Sequence, residues 1–259
     1  MKPNVIVLKA DGINRDEEMA FAFELAGAKS TIVHINDLRN KKDSFKNYQI
    51  LALPGGFAYG DDIVSGKILA IELTSFFADE LKKFVARRET ATIGVCNGFQ
   101  ALIRTGLLPF GNLGKMSATL SNNDSGHFEC RWINAKIEKN SVCQFTKGLE
   151  NIIISYPIAH GEGRFYTDTK TLQDIEKQNL VVFRYVDDKG NPTHVYPQNP
   201  NGSLHEIMGV CDPTGRILGL MPHPECFVRT EQHPNWRRDK ITPQGLPLFQ
   251  NIVNYVKNA

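Results

Sequence analysis

Along the first hundred residues, short apolar runs alternate with stretches whose apolar positions recur at helical spacing. Runs at 5–8, 31–35, 50–53 and 91–95 read as strands, and 16–26 and 71–87 read as helices. Such alternation argues for a mostly parallel sheet with helices on both faces, in which ligands gather beyond the carboxyl ends of the strands. Past residue 120 the pattern changes. Runs at 128–137, 152–156, 180–186 and 207–211 predict an antiparallel extension, and Asp212-Pro213-Thr214-Gly215 reads as a hairpin turn feeding the glycine-punctuated apolar strand 216–220. A polar, irregular stretch at 229–245 precedes a closing helix at 246–256. With 259 residues and 41% hydrophobic content, the chain can bury one sizeable core, so a single α/β domain over 1–259 is expected.

Composition removes several function classes. A formal net charge of +2, with basic residues dispersed apart from pairs such as Lys41-Lys42, Arg87-Arg88 and Arg237-Arg238, gives no nucleic-acid footprint. No secretory signal pattern is present at the N-terminus, and no apolar run approaches the roughly 18 residues a bilayer span needs. A soluble, cytoplasmic chain without a membrane partner is expected. The five cysteines, Cys96, Cys130, Cys143, Cys211 and Cys226, are an odd set without paired spacing, which argues against a disulfide framework or a zinc site. Residues 60–67 mimic a phosphate loop, but five residues separate Gly60 from Gly66 and Ile68 stands where the metal-binding hydroxyl belongs. His205-Glu206 lacks the second histidine of a zinc-protease helix, and His160-Gly161-Glu162-Gly163 lacks the third glycine of a dinucleotide fingerprint. The expectation is that no metal or organic cofactor resides in this chain.

Three features carry candidate chemistry. Gly94-Val95-Cys96-Asn97-Gly98 ends an apolar run and opens a helix-like stretch, the pattern of a nucleophile on a strand-to-helix elbow, where bulky neighbours would clash. A free thiol has a pKa of about 8.5, and a helix N-terminus with a nearby protonated histidine can lower it below neutrality. Met221-Pro222-His223-Pro224-Glu225 follows the 216–220 strand; in extended chain, residues two apart share a face, so Glu225 can orient the His223 imidazole. Leu51-Ala52-Leu53-Pro54-Gly55-Gly56-Phe57 runs a strand into adjacent glycines, and an N–H between Gly55 and Phe57 could join the Asn97 amide in an oxyanion hole. Each alone has a bland reading: a buried cysteine in a tight turn, a loop histidine, an ordinary turn. Together, at strand ends of one sheet, they supply nucleophile, base, orienter and oxyanion donors. His160, near Glu162, remains a rival base.

Five motifs, PGGFAYGDD at 54–62, GVCNGFQ at 94–100, PIAHGEG at 157–163, PNGSLHEIMGV at 200–210 and GLMPHPE at 219–225, resemble in order the glutaminase subunits of phosphoribosylformylglycinamidine synthase. These are class I glutamine amidotransferases of purine biosynthesis. The resemblance implies a flavodoxin-like α/β fold and hydrolysis of glutamine to glutamate and ammonia. The ammonia would pass to a large synthetase subunit that uses ATP and Mg to convert formylglycinamide ribonucleotide to its amidine, in some assemblies through a small bridging subunit. Motif by motif it implies Cys96 as the thioester-forming nucleophile, His223 and Glu225 as the rest of the triad, Gly56 and Asn97 as oxyanion donors, and Phe57 and Gln100 as lining for the glutamine pocket. The chain departs from the family pattern at Cys226, where arginine is common, and in a long 229–245 segment. Two competing readings are another cysteine hydrolase on the same fold, such as a peptidase or deglycase, and a catalytically silent docking subunit.

Overall fold

The computed structural model describes residues 2–150 and 152–259. Its elements in chain order are β1 (Asn4–Lys9), α1 (Asp16–Leu25), β2 (Lys29–His34), the short α2 (Ile35–Arg39), β3 (Ile50–Leu53), α3 (Lys67–Ser75), α4 (Ala78–Ala86), β4 (Ala91–Val95) and α5 (Asn97–Thr105). Then come β5 (Thr119–Ser121), β6 (Glu129–Ile137), β7 (Ile153–His160), β8 (Arg164–Tyr166), α6 (Thr169–Lys177), β9 (Val181–Tyr185), β10 (Ile207–Cys211), β11 (Ile217–Leu220) and α7 (Leu246–Asn258). Nine strands form one sheet in the order β2-β1-β3-β4-β11-β10-β9-β6-β7. The first five are mutually parallel, and from β11 outward every pairing is antiparallel. The expected division into a parallel half and an antiparallel extension is therefore observed. A separate pair, β5 with β8, was not foreseen, nor was α6.

Burial explains the strand types. Every residue of β3 and β4 is buried, as expected of parallel strands covered on both faces. Right-handed crossovers leave β1 for β2 in one direction and β3 for β4 in the other, so α1 and the α3–α4 connection cover opposite faces. Phe23 of α1 meets Phe249 of α7 edge-on, with ring centroids 5.0 Å apart. The reversal of direction between β1 and β3 makes a crevice at the carboxyl ends of the strands, the usual ligand position in open α/β sheets. The expected helix over 71–87 is instead two helices that break at Phe76 and Phe77. Phe77 is buried edge-on against Phe45, while Phe76 is exposed and carries the Arg39 guanidinium 4.4 Å above its ring. Phe77 thus turns inward and Phe76 outward where the two helices meet.

Candidate active site

The sheet order places the three chemical segments side by side. β4 lies between β3 and β11, with Gly94 opposite Leu53 and Val95 opposite Leu220. Beyond β3 comes the Gly55-Gly56 turn, beyond β4 Cys96, and beyond β11 the His223 segment. Cys96 is 5% exposed and sits at φ 51°, ψ −107°, a left-handed backbone that a side chain rarely adopts. Its N–H still bonds to Leu220, at 2.8 Å, while its carbonyl accepts from Gln100 and starts α5. The flanking glycines are sterically required: a Cβ on Gly98 would lie 2.0 Å from the Leu53 carbonyl oxygen, and one on Gly94 2.6 Å from that of Gly98. The thiol donates towards the Ala159 carbonyl at 3.6 Å.

His223 is anchored by its N–H to the Pro157 carbonyl of β7 at 2.9 Å. Its Nδ1 lies 2.6 Å from Glu225 Oε1, and both side chains are buried. Burial alone would discharge the ring, but the Glu225 carboxylate and the Cys96 sulfur outweigh it and push the imidazole up to about 10. The site thus stabilises the imidazolium, the form present once a thiol proton has been taken. Nε2, the nitrogen left for that transfer, has no hydrogen-bond partner among the described residues. Gly55 is wedged against the pair, and a Cβ there would meet His223 Cε1 at 2.7 Å and Cys96 Cβ at 3.4 Å.

His160 differs in kind. It is buried at the end of β7, and its Nδ1 donates to Asn123 Oδ1 at 3.1 Å, because the Asn123 amide nitrogen already donates to the His127 and His160 carbonyls. Burial and the neighbouring His223 charge pull its pKa down to about 3. A neutral imidazole without a carboxylate on Nδ1 lacks the orienter that a relay base uses.

In the oxyanion segment, the Phe57 N–H is engaged by the Gly12 carbonyl at 2.9 Å, and the Gly55 carbonyl accepts from the Arg15 N–H at 3.3 Å. Of the two peptides after Gly55, only the one carrying the Gly56 N–H keeps a donor free among the described residues. Gly56 has φ 140°, and a Cβ would lie 2.7 Å from the Asn14 nitrogen and 2.8 Å from Ile13 Cα. Phe57, 43% exposed, stacks on Phe128 with centroids 6.2 Å apart. Gln100 is buried: its Oε1 accepts from Asn97 Nδ2 at 2.9 Å and its Nε2 donates to the Glu162 carbonyl at 2.6 Å. It therefore braces a polar wall between α5 and the Glu162 segment.

Sequence reading missed the polar framework behind this wall. Asn97 Nδ2 also donates to Asp61 at 2.8 Å, and Asn97 Oδ1 accepts from the Ala58 N–H, tying the nucleophile helix to the loop after Gly56. Asp61 accepts from Ser65, and Arg104 approaches Glu162. The only advance signal was the pair of aspartates closing the first glycine-rich motif.

Comparison with known proteins decides the family. Residues 2–256 match the CobB/CobQ-like glutamine amidotransferase domain. Phosphoribosylformylglycinamidine synthase subunit PurQ of Methanococcus maripaludis is 42% identical, the match covering 98% of this chain and 97% of that one. The chain belongs to the PurQ family. The PurQ protein of Treponema denticola is 43% identical over 99% of this chain and 100% of its own. The structure of PurLQS from Thermotoga maritima contains a chain that superimposes with a TM-score of 0.75 at 34% identity, covering 98% of this chain and 99% of that one. As a PurQ protein, the chain is the glutamine-hydrolysing subunit for amidation of formylglycinamide ribonucleotide in purine biosynthesis. A glutamine amidotransferase of Thermotoga maritima, at 15% identity and a TM-score of 0.55, shares the fold.

Proposed function

We propose that Cys96 attacks the side-chain amide carbon of glutamine while His223 takes the thiol proton. The tetrahedral oxyanion is held by the Gly56 and Asn97 N–H groups, and the imidazolium returns the proton to the departing nitrogen as ammonia leaves. Water then attacks the glutamyl thioester with His223 again as base. Glu225 fixes the ring tautomer and stabilises its charge without moving a proton. Phe57 and Gln100 bound the glutamine pocket. The observation that carries this reading is the buried His223–Glu225 pair at 2.6 Å, set beside a left-handed cysteine at a helix start.

The ammonia goes to a synthetase subunit that uses ATP and Mg; this chain itself needs no metal or organic cofactor. The PurLQS assembly of Thermotoga maritima and a plant relative support such a partner. Probable phosphoribosylformylglycinamidine synthase of Arabidopsis thaliana is 34% identical to the whole of this chain over only 19% of its own length, leaving a large remainder for the rest of the synthase. A small bridging subunit belongs to the same proposal, as does a cytoplasmic setting. The test is treatment of the assembled enzyme with an electrophilic glutamine analogue, followed by mapping of the adduct. A single adduct on Cys96, prevented by glutamine, is expected. Labelling of the exposed Cys130 in its place would remove Cys96 from the mechanism and favour a docking role.

A further inference from the structure

Directly after His223, the short turn Pro224–Phe227, which carries Glu225, folds back on itself, with the Cys226 N–H donating to the His223 carbonyl at 3.1 Å. The turn gathers an imidazole nitrogen, a carboxylate oxygen and a sulfur from His223, Glu225 and Cys226 within 4.8 Å of one another. Zinc bonds of about 2.0–2.3 Å in a tetrahedral shell put ligand atoms roughly 3.3–3.8 Å apart, so modest side-chain rotation closes the set. Imidazole and thiolate are donors that zinc and cadmium favour, and zinc also takes a carboxylate oxygen. Glutamine hydrolysis by the triad has no use for the Cys226 thiol. Glu225 Oε2 is a second unexplained group: it is buried and has no hydrogen-bond partner among the described residues, while Oε1 serves His223. Glu225 also lines a cavity of ≈ 520 Å³, together with Arg229 and Gln232 among others.

We propose that His223, Glu225 and Cys226 bind a thiophilic divalent cation, with zinc or cadmium as the probe, and that occupation switches glutamine hydrolysis off. Coordination uses His223 Nδ1, the nitrogen facing Glu225. Starting from the neutral ring that serves as base, with its proton on Nδ1, and from the free Cys226 thiol, binding moves the ring proton to Nε2 and releases one proton, that of Cys226. The bound ring keeps its proton on Nε2, so that nitrogen can no longer accept the proton of Cys96. The effect on turnover rests on the triad proposed above, whereas the binding itself does not.

The binding test uses the full chain carrying Cys96→Ser, which removes the catalytic thiol as a competing ligand. Cadmium titration, followed by thiolate-to-cadmium absorption and by proton release, should show one site with about one proton released per ion. That site should vanish in Cys96→Ser/Cys226→Ala and in Cys96→Ser/Cys226→Ser, with thermal unfolding confirming that the variants fold. Equal binding in the single and double variants would overturn the assignment. In the assembled enzyme, Cys226→Ala should keep glutamine-dependent turnover and need at least tenfold more zinc for half-inhibition, while ammonium-dependent turnover stays unaffected at those concentrations. Unchanged zinc sensitivity of the glutamine reaction would overturn the switch. A wild-type enzyme without any glutamine hydrolysis would instead count against the triad.

Discussion

At the scale of single residues, two buried histidines on neighbouring segments have opposite proton affinities, and their partners explain why. His223 faces a carboxylate and a sulfur, while His160 faces an amide oxygen and another histidine. The expected order of damage to glutamine-dependent turnover is therefore His223→Asn, then Glu225→Gln, then His160→Asn. If His160→Asn proved the most damaging in a folded protein, the triad would have to be reassigned. Linkage gives a second readout. Because folding raises the His223 pKa from the ordinary 6.5 to about 10, its contribution to stability is complete below pH 6.5 and disappears as the pH rises through about 10. Glu225→Gln removes the carboxylate responsible, so the gap in unfolding midpoint between wild type and variant should narrow across that window. The pairing of His223 with Glu225 was legible from two-residue spacing in an extended segment. The neutrality of His160 was not, since it depends on burial at the end of β7 and on the charge of His223, 63 positions away.

At the scale of elements, the turn after β3 carries the sharpest geometric demand. Gly56 is in a left-handed backbone with Ile13 and Asn14 too close for a Cβ, and its N–H, unlike that of Phe57, has no partner among the described residues. Gly56→Ala should therefore shift this peptide and lose one oxyanion donor, typically about 10²- to 10³-fold in kcat. The KM for glutamine should change much less, because the donor acts on charge that develops only during reaction. A Gly56→Ala enzyme with normal kcat would show that this amide does not serve the oxyanion. The parallel strands, the elbow and the hairpin turn could be read from local patterns that the core leaves unopposed. The break between α3 and α4 could not, because helical periodicity runs through it and the contact of Phe77 with Phe45 is tertiary. The β5–β8 pair was equally hidden, being two three-residue strands with Thr119 paired to Tyr166 far along the chain.

At the scale of the whole molecule, the proposed reaction forms ammonia in the crevice at the strand ends, and ammonia released without an acceptor wastes glutamine. Among the described residues, the Gly55–Gly56 peptide is held on its carbonyl side only by a 3.3 Å bond from the Arg15 N–H, and a peptide between glycines rotates at little steric cost. The isolated chain should accordingly be a poor glutaminase, about 10²- to 10³-fold slower than the assembled, substrate-loaded complex. Equal rates in the two states would mean that the oxyanion hole is already complete in the free chain. The central claim, that Cys96 makes ammonia for a separate synthetase, is tested most directly by Cys96→Ala in the assembled enzyme with formylglycinamide ribonucleotide and ATP, supplied in turn with glutamine and with ammonium. The account predicts that glutamine-dependent synthesis is abolished while ammonium-dependent synthesis proceeds at the wild-type rate. Substantial glutamine-dependent synthesis by Cys96→Ala would contradict it.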